Sequence, residues 1–226
     1  MRHRTPLALA ALALLAAACS AENPKPAIGE RLPMLLRELG LKKKAAAKPA
    51  NPLAGLTRAQ LAGLPGPLLA AHLEDADAWA TLSPIADNRG TVTFATPDQI
   101  TVALKDGVLV ATRGLAGDLI ASDSAAAIEA IRKGRRARYS RSLSWLNGED
   151  QTVTVTYSCS LEPGAAEKVE IVERIHDTRL LRETCRSDAD GGFSNSYYAG
   201  QGVIWTSRQW IGPDAGYLNL TVLIRG

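Results

Sequence analysis

The chain has 226 residues, 22% charged and 46% hydrophobic, with a formal net charge of +3 and a sequence pI near 8.8. The charge is unevenly placed: residues 1–52 hold nine Lys/Arg against three Asp/Glu, and residues 53–226 hold 17 against 20. The larger part is therefore acidic, which argues against a nucleic-acid-binding domain, and it is long enough for one domain with a real core.

Residues 1–18 read as a lipoprotein signal peptide. Arg2, His3 and Arg4 form a basic start, Leu7 to Ala18 is an apolar run of Leu and Ala, and small residues lead into Cys19. The run is well short of the roughly 20 residues a spanning helix needs, and no later stretch is long and apolar enough to span. Cleavage before Cys19 would leave its thiol to a diacylglyceryl group and its amine to a further acyl chain such as palmitate. Two or more chains anchor stably where one does not. The alternatives are cleavage without lipid and a retained helix. Ser20 after the cysteine favours the periplasmic face of the outer membrane over retention in the inner membrane.

Residues 19–52 read as a basic tether, with Pro24, Pro26, Pro33, Pro49 and Pro52 and the run Lys42-Lys43-Lys44-Ala45-Ala46-Ala47-Lys48. Ile28 to Leu41 has the spacing of a short amphipathic helix, which Pro33 confines to a late start. As flexible chain the segment reaches roughly 30 Å. Its charge suits anionic phospholipid; a solvated linker is the plainer account.

Residues 53–226 read as a single β-rich periplasmic domain. Two short helices open it, Leu56 to Leu61 with Thr57 as N-cap and Leu68 to Leu73 after the breaker Pro65-Gly66-Pro67. The period then shifts to two. Ile100 to Leu104 and Val108 to Thr112 flank Lys105-Asp106-Gly107, a hairpin signal. Ser124 to Lys133 reads as an inserted helix, capped by Ser124 and ended by Gly134. Strands follow at Arg138 to Leu146, then, past Asn147-Gly148, at Thr152 to Ser160, where Val153, Val155, Tyr157 and Cys159 share one face. Further strands are Lys168 to Ile175 and Arg179 to Arg186, joined by His176-Asp177-Thr178, then Phe193 to Ala199, Val203 to Gln209 and Tyr217 to Ile224. The fold class expected is mainly β, antiparallel meanders closing into a barrel-like domain. The strands lack the continuous apolar band of a membrane barrel.

With Cys19 assigned to lipid, Cys159 and Cys185 are left for one disulfide in an oxidising compartment. The 26-residue separation gives about 3.5 kcal/mol by loop closure; a pair of buried free thiols is the alternative. No metal site is expected, because His72 and His176 lack ligand spacing, and no cofactor motif is present. There is no G-x-S-x-G, P-loop or G-x-G-x-x-G, so catalytic residues are expected to be none. Asp75 with Asp77, and Glu170 with Glu173, read as surface charges. Asp188-Ala189-Asp190-Gly191-Gly192 reads as a hairpin turn, because the later bidentate Glu of a calcium loop is missing. Aromatics crowd into Phe193 to Pro213. There Tyr198, Trp205, Arg208 and Trp210 are candidates for binding glycan or a protein partner, against the alternative that the rings fill the core.

The chain resembles the YjbF-type lipoproteins, the group 4 capsule lipoprotein family. The resemblance rests on Thr112-Arg113-Gly114-Leu115-Ala116-Gly117-Asp118-Leu119, on Phe193-Ser194-Asn195-Ser196-Tyr197-Tyr198, on Ser207-Arg208-Gln209-Trp210-Ile211-Gly212-Pro213, and on the residues before Cys19. It implies a barrel-like periplasmic domain and a role in making or exporting an extracellular polysaccharide, beside other envelope components. Two functions are therefore expected. The first is a non-catalytic accessory lipoprotein that binds polysaccharide or a polysaccharide-export protein. The alternative is a glycosidase-like enzyme acting through carboxylates that sequence does not place.

Overall fold

A computed structural model describes residue 51, residues 53–146, residue 149 and residues 151–226. The expected signal peptide, Cys19, nearly all of the tether and the Asn147-Gly148 turn lie outside the described residues. Twelve strands form one antiparallel sheet: β1 Leu68–Leu73, β2 Ala78–Asn88, β3 Thr91–Ala95, β4 Thr101–Lys105, β5 Val108–Arg113, β6 Ala121–Asp123, β7 Ala137–Leu146, β8 Thr152–Ile171, β9 Arg174–Ser187, β10 Gly191–Gly200, β11 Val203–Gly212 and β12 Gly216–Ile224. Among the described residues two helices accompany them, α1 Arg58–Leu61 and α2 Ala125–Lys133. The expected mainly β, barrel-like class is what the chain adopts.

Except for β5 and β6, strands adjacent in sequence pair with each other, and β1 also pairs with β12, with Leu69 opposite Val222 and His72 opposite Asn219. The ladder is interrupted only between β5 and β6, which leaves a nearly closed barrel. A compact loop spans this seam. Thr112 N–H donates to the Leu119 carbonyl (2.9 Å) and Leu119 N–H returns to Thr112 Oγ1 (3.0 Å). The Asp118 carboxylate accepts from Thr112 Oγ1, Gly114 N–H and Leu115 N–H at 2.8–3.1 Å. The segment Thr112–Leu119 thus does by loop geometry what a strand ladder does elsewhere.

Period-two alternation fills the barrel. Tyr157, Cys159 and Leu161 of β8 are buried, as are Leu218 and Leu220 of β12, while Thr156 and Ser158, at the alternate positions of β8, are exposed. The expected bridge is present: Cys159 and Cys185 sit directly opposite across β8 and β9 and are bonded, both inside the core.

One polar network crosses this interior. Arg141 and Glu183 are 2% and 0% exposed and meet at 2.8 Å. The Glu183 carboxylate also accepts from Tyr139 Oη (2.8 Å), Tyr197 Oη (2.9 Å) and Asn195 Nδ2 (2.7 Å). Burial, then the Glu183 charge, pushes both tyrosine hydroxyls well above their ordinary range, so they remain donors. Gln209 completes the crossing, accepting from Leu109 N–H at 2.8 Å and donating to the Gly107 carbonyl at 2.9 Å. A shift of register between β4 and β5 at Ala103/Leu104 accompanies these inward contacts.

Three local readings change. Leu68–Leu73, expected as a helix, is strand β1. Leu69 and Ala71 face the barrel core, while Ala70 is buried on the outside beneath the β8–β9 hairpin, so both faces are covered and no alternation shows. The turn expected at His176–Thr178 lies instead at Val172–Glu173, both with positive φ (45° and 61°), a geometry for which Asn-Gly is the usual choice. Ser124 stands at the N-cap of α2, but its hydroxyl pairs with Ser122 Oγ rather than with the helix. Thr57 does cap α1, in a reciprocal box with Gln60, and Gly134 ends α2 in the left-handed region.

Candidate functional site

Of the four candidate residues, Tyr198 lies on β10 and Trp205, Arg208 and Trp210 on β11, and the structure sends them to different places. Trp210 N–H donates to the side-chain Oδ1 of Asn195 on β10 (2.7 Å). Its ring stacks on Phe193 (4.6 Å) and meets Trp145 edge-on (5.3 Å). It thus closes one end of the core. Tyr198 is half-buried, opposite Thr206 and Leu180.

Arg208 belongs to an outward row that crosses four strands: Trp79, His72, Asn219 and Arg208 stand opposite one another in turn. The Arg208 guanidinium forks onto Glu74 (2.8 and 2.7 Å) and lies 3.3 Å above the Tyr217 ring. Asn219 Nδ2 donates to Glu74 at 2.9 Å, and His72 Nε2 meets Asp77 Oδ1 at 3.1 Å while stacking on Trp79 at 4.1 Å. The hydrogen bonds from Arg208 hold the Glu74 carboxyl below its ordinary range. The row is an aromatic and charged strip with its geometry already fixed.

Trp205 marks a groove. The bulge at Tyr198/Ala199 leaves Trp205 without a partner in β10, and its ring turns outward to stack on His176 of β9 at 3.6 Å. A cavity of about 410 Å³ opens here, with Leu61, Ala62, Leu223 and Ile224 as apolar walls. Arg58, Arg174, Arg225 and His176 supply the remainder of its lining. Arg58 is clamped: its Nη1 donates to the Leu223 carbonyl (2.9 Å) and its Nη2 to the Ile171 carbonyl (2.5 Å). Arg58 Nε and His176 Nε2 are buried and have no partner. Burial first, then the Arg58 and Arg174 charges, push the His176 pKa below its ordinary value. Arg58 is lowered likewise, by burial and then by Arg174.

Sequence reading found Trp205 and Arg208 but none of the groove's cations. Arg58, Arg174 and Arg225 are isolated in sequence and meet only because the β8–β9 hairpin packs over β1, β12 and α1. The one local hint is Arg174 and His176, two apart on one strand and so on one face. The cluster of Cys159, Glu183 and Cys185 could suggest a metal. The two sulfurs are bonded to each other and the carboxylate is held by Arg141, so the donors do not fit a cation.

The fold and these surfaces define a nearly closed antiparallel barrel with an aromatic and arginine-rich outer wall. The crystal structure of the hypothetical lipoprotein YmcC from Escherichia coli (K12) has the same fold, with a TM-score of 0.67 and 16% identity over 76% of this chain and 90% of that one. In sequence, residues 40–223 match the family described as group 4 capsule polysaccharide lipoprotein gfcB, YjbF, and the chain belongs to that family. No curated protein matches it significantly. The resemblance drawn from the three motifs is thereby borne out. The structure gives each motif a place: the seam loop, strand β10 and strand β11.

Proposed function

We propose that this protein is an accessory, non-catalytic lipoprotein of capsule or exopolysaccharide production and export, held by lipid on Cys19 at the periplasmic face of the outer membrane. It binds glycan, or an export protein carrying it, through the outer wall of β1, β11 and β12. The observation that carries this reading is the wall itself. Trp205 stacks on His176 in a groove also lined by Arg58, Arg174 and Arg225, and Trp79 stacks on His72 in the row that ends at Arg208, all four rings being partly exposed. Aromatic faces flanked by polar forks suit sugars, whose rings offer C–H surfaces and whose hydroxyls need fixed partners. Family membership supports the polysaccharide context. No observation favours the glycosidase-like alternative: Glu183 is consumed inside the core, Glu173 accepts from Arg58 N–H (3.0 Å) and Asp77 binds His72.

The test is an in-frame deletion, complemented by wild type and by Cys19→Ser. Secreted polymer is expected to fall on deletion, to return with wild type, and to return poorly with the unlipidated form. Normal polymer yield and chain length in the deletion strain would refute the role. Turnover of that polymer by purified protein would replace the accessory reading with the enzymatic one.

A further inference from the structure

The groove beside Trp205 concentrates charge of one sign on a domain that is acidic overall. Arg58, Arg174 and Arg225 line it with His176. Glu173 is the acid beside Arg58, and its carboxylate already accepts the Arg58 backbone N–H. Neither Arg174 nor Arg225 has an ion-pair partner among the described residues, and both are exposed. Like charges gathered this way repel by about 1 kcal/mol or more per close pair, depending on local polarity. The fold nevertheless pins one of them in place by two carbonyls and leaves its Nε buried and unbonded. Arg–carboxylate and Arg–phosphate forks are the pairing that best offsets such an arrangement.

We propose that this groove is an oxyanion subsite for an acidic glycan, taking a carboxylate, sulfate or phosphate substituent between Arg174 and Arg225 while the sugar ring lies along the His176–Trp205 pair. The proposal rests on the polysaccharide reading above and adds the class of polymer. A walled cavity of about 410 Å³ with a stacked ring pair suits one charged sugar residue. The Val172–Glu173 turn, with both residues in the left-handed region, leads directly into Arg174 at the β9 side of the groove.

The experiment is calorimetric titration of the purified chain lacking residues 1–19, with tetragalacturonate, inorganic sulfate and inorganic phosphate as anionic probes and maltotetraose as the neutral one. At least one anionic probe binds, maltotetraose does not, and Arg174→Gln with Arg225→Gln weakens binding at least about tenfold, the loss expected for one charge-assisted pair. Both substituted side chains are exposed, so an unchanged melting temperature confirms an intact fold. No binding by any anionic probe, or equal binding by the double variant, overturns the proposal. So does capture by phosphatidylglycerol vesicles that the double variant loses while no probe binds, which would assign the cations to a membrane surface. The deletion strain separates the two levels. If deletion lowers polymer but the double variant restores it fully, the subsite falls and the polysaccharide role stands. If deletion has no effect, the underlying role falls.

Discussion

Replacing Arg141 by Met tests the energetic account of the barrel interior most directly. Met fills much of the same volume but removes the cation facing Glu183. The carboxylate then keeps three neutral donors, Tyr139, Tyr197 and Asn195, with nothing to balance its charge at 0% exposure. Breaking one side of a buried pair costs about 3–5 kcal/mol. The Leu109 carbonyl also loses its contact to Arg141 Nη2, at 3.3 Å, a bond near the weak end and worth about 1 kcal/mol or less. A domain of this kind has about 5–15 kcal/mol in total, so the variant stays folded with a much reduced margin. Urea unfolding followed by tryptophan fluorescence reads this well, because Trp145 and Trp210 lie in the same core. With a slope of about 2 kcal/mol/M, the midpoint drops by about 2 M. Arg141→Met combined with Glu183→Gln removes both charges and keeps an acceptor for the two tyrosines, so it recovers at least half of the loss. A single variant within about 1 kcal/mol of wild type, or a double variant no better than the single, would refute the argument that uncompensated charge, rather than lost packing, dominates.

Three further outcomes are expected. In folded protein burial, then the charges of Arg58 on α1 and Arg174 on its own strand, lower the His176 pKa; Arg225 lines the same groove, and Glu173 is the opposing charge beside Arg58. The unfolded chain therefore binds more protons than the folded one below pH of about 6.5. Stability should rise with pH through that value and fall as pH drops toward the lowered folded pKa; His176→Asn should flatten this part of a melting-temperature profile. Cys159→Ala with Cys185→Ala should cost about 3.5 kcal/mol by loop closure, seen as a lower urea midpoint that dithiothreitol no longer shifts. Gly200→Ala should destabilise by about 1–3 kcal/mol, because a Cβ there would stand 2.1 Å from the Asp177 carbonyl oxygen; calorimetry would show it as a lower melting temperature.

What sequence disclosed follows from which faces are covered. Strands with one wet face, such as Thr152–Ser160, declare themselves by alternation, and Lys105-Asp106-Gly107 declares its hairpin. Leu68–Leu73 hides because both its faces are buried, and its Leu and Ala content suits a helix as well. Strands β2 and β3 escape notice because Pro84, beside the register shift in β2, and the Asn88-Arg89-Gly90 corner break the pattern. The β8–β9 turn is misplaced because Val172-Glu173 has no turn residue, whereas His176-Asp177-Thr178 looks like one. At the candidate site, ring type pointed to Trp205 and Arg208, but the groove is made by pairs such as Arg58 and Ile171, 113 positions apart. No local pattern encodes such a meeting.

The gap between β5 and β6 has a consequence for how this barrel breathes. A ring of strands bonded all the way round has no preferred place to come undone. This one is a belt with a buckle, and the buckle is the loop clasped by Asp118 rather than a run of ladder bonds. Slow opening of the molecule should begin there, so the amides of Thr112, Gly114, Leu115 and Leu119 should exchange with solvent water ahead of those in β8 and β9. Loosening the clasp with Asp118→Ala should quicken exchange on both flanking strands while leaving the far side of the barrel untouched.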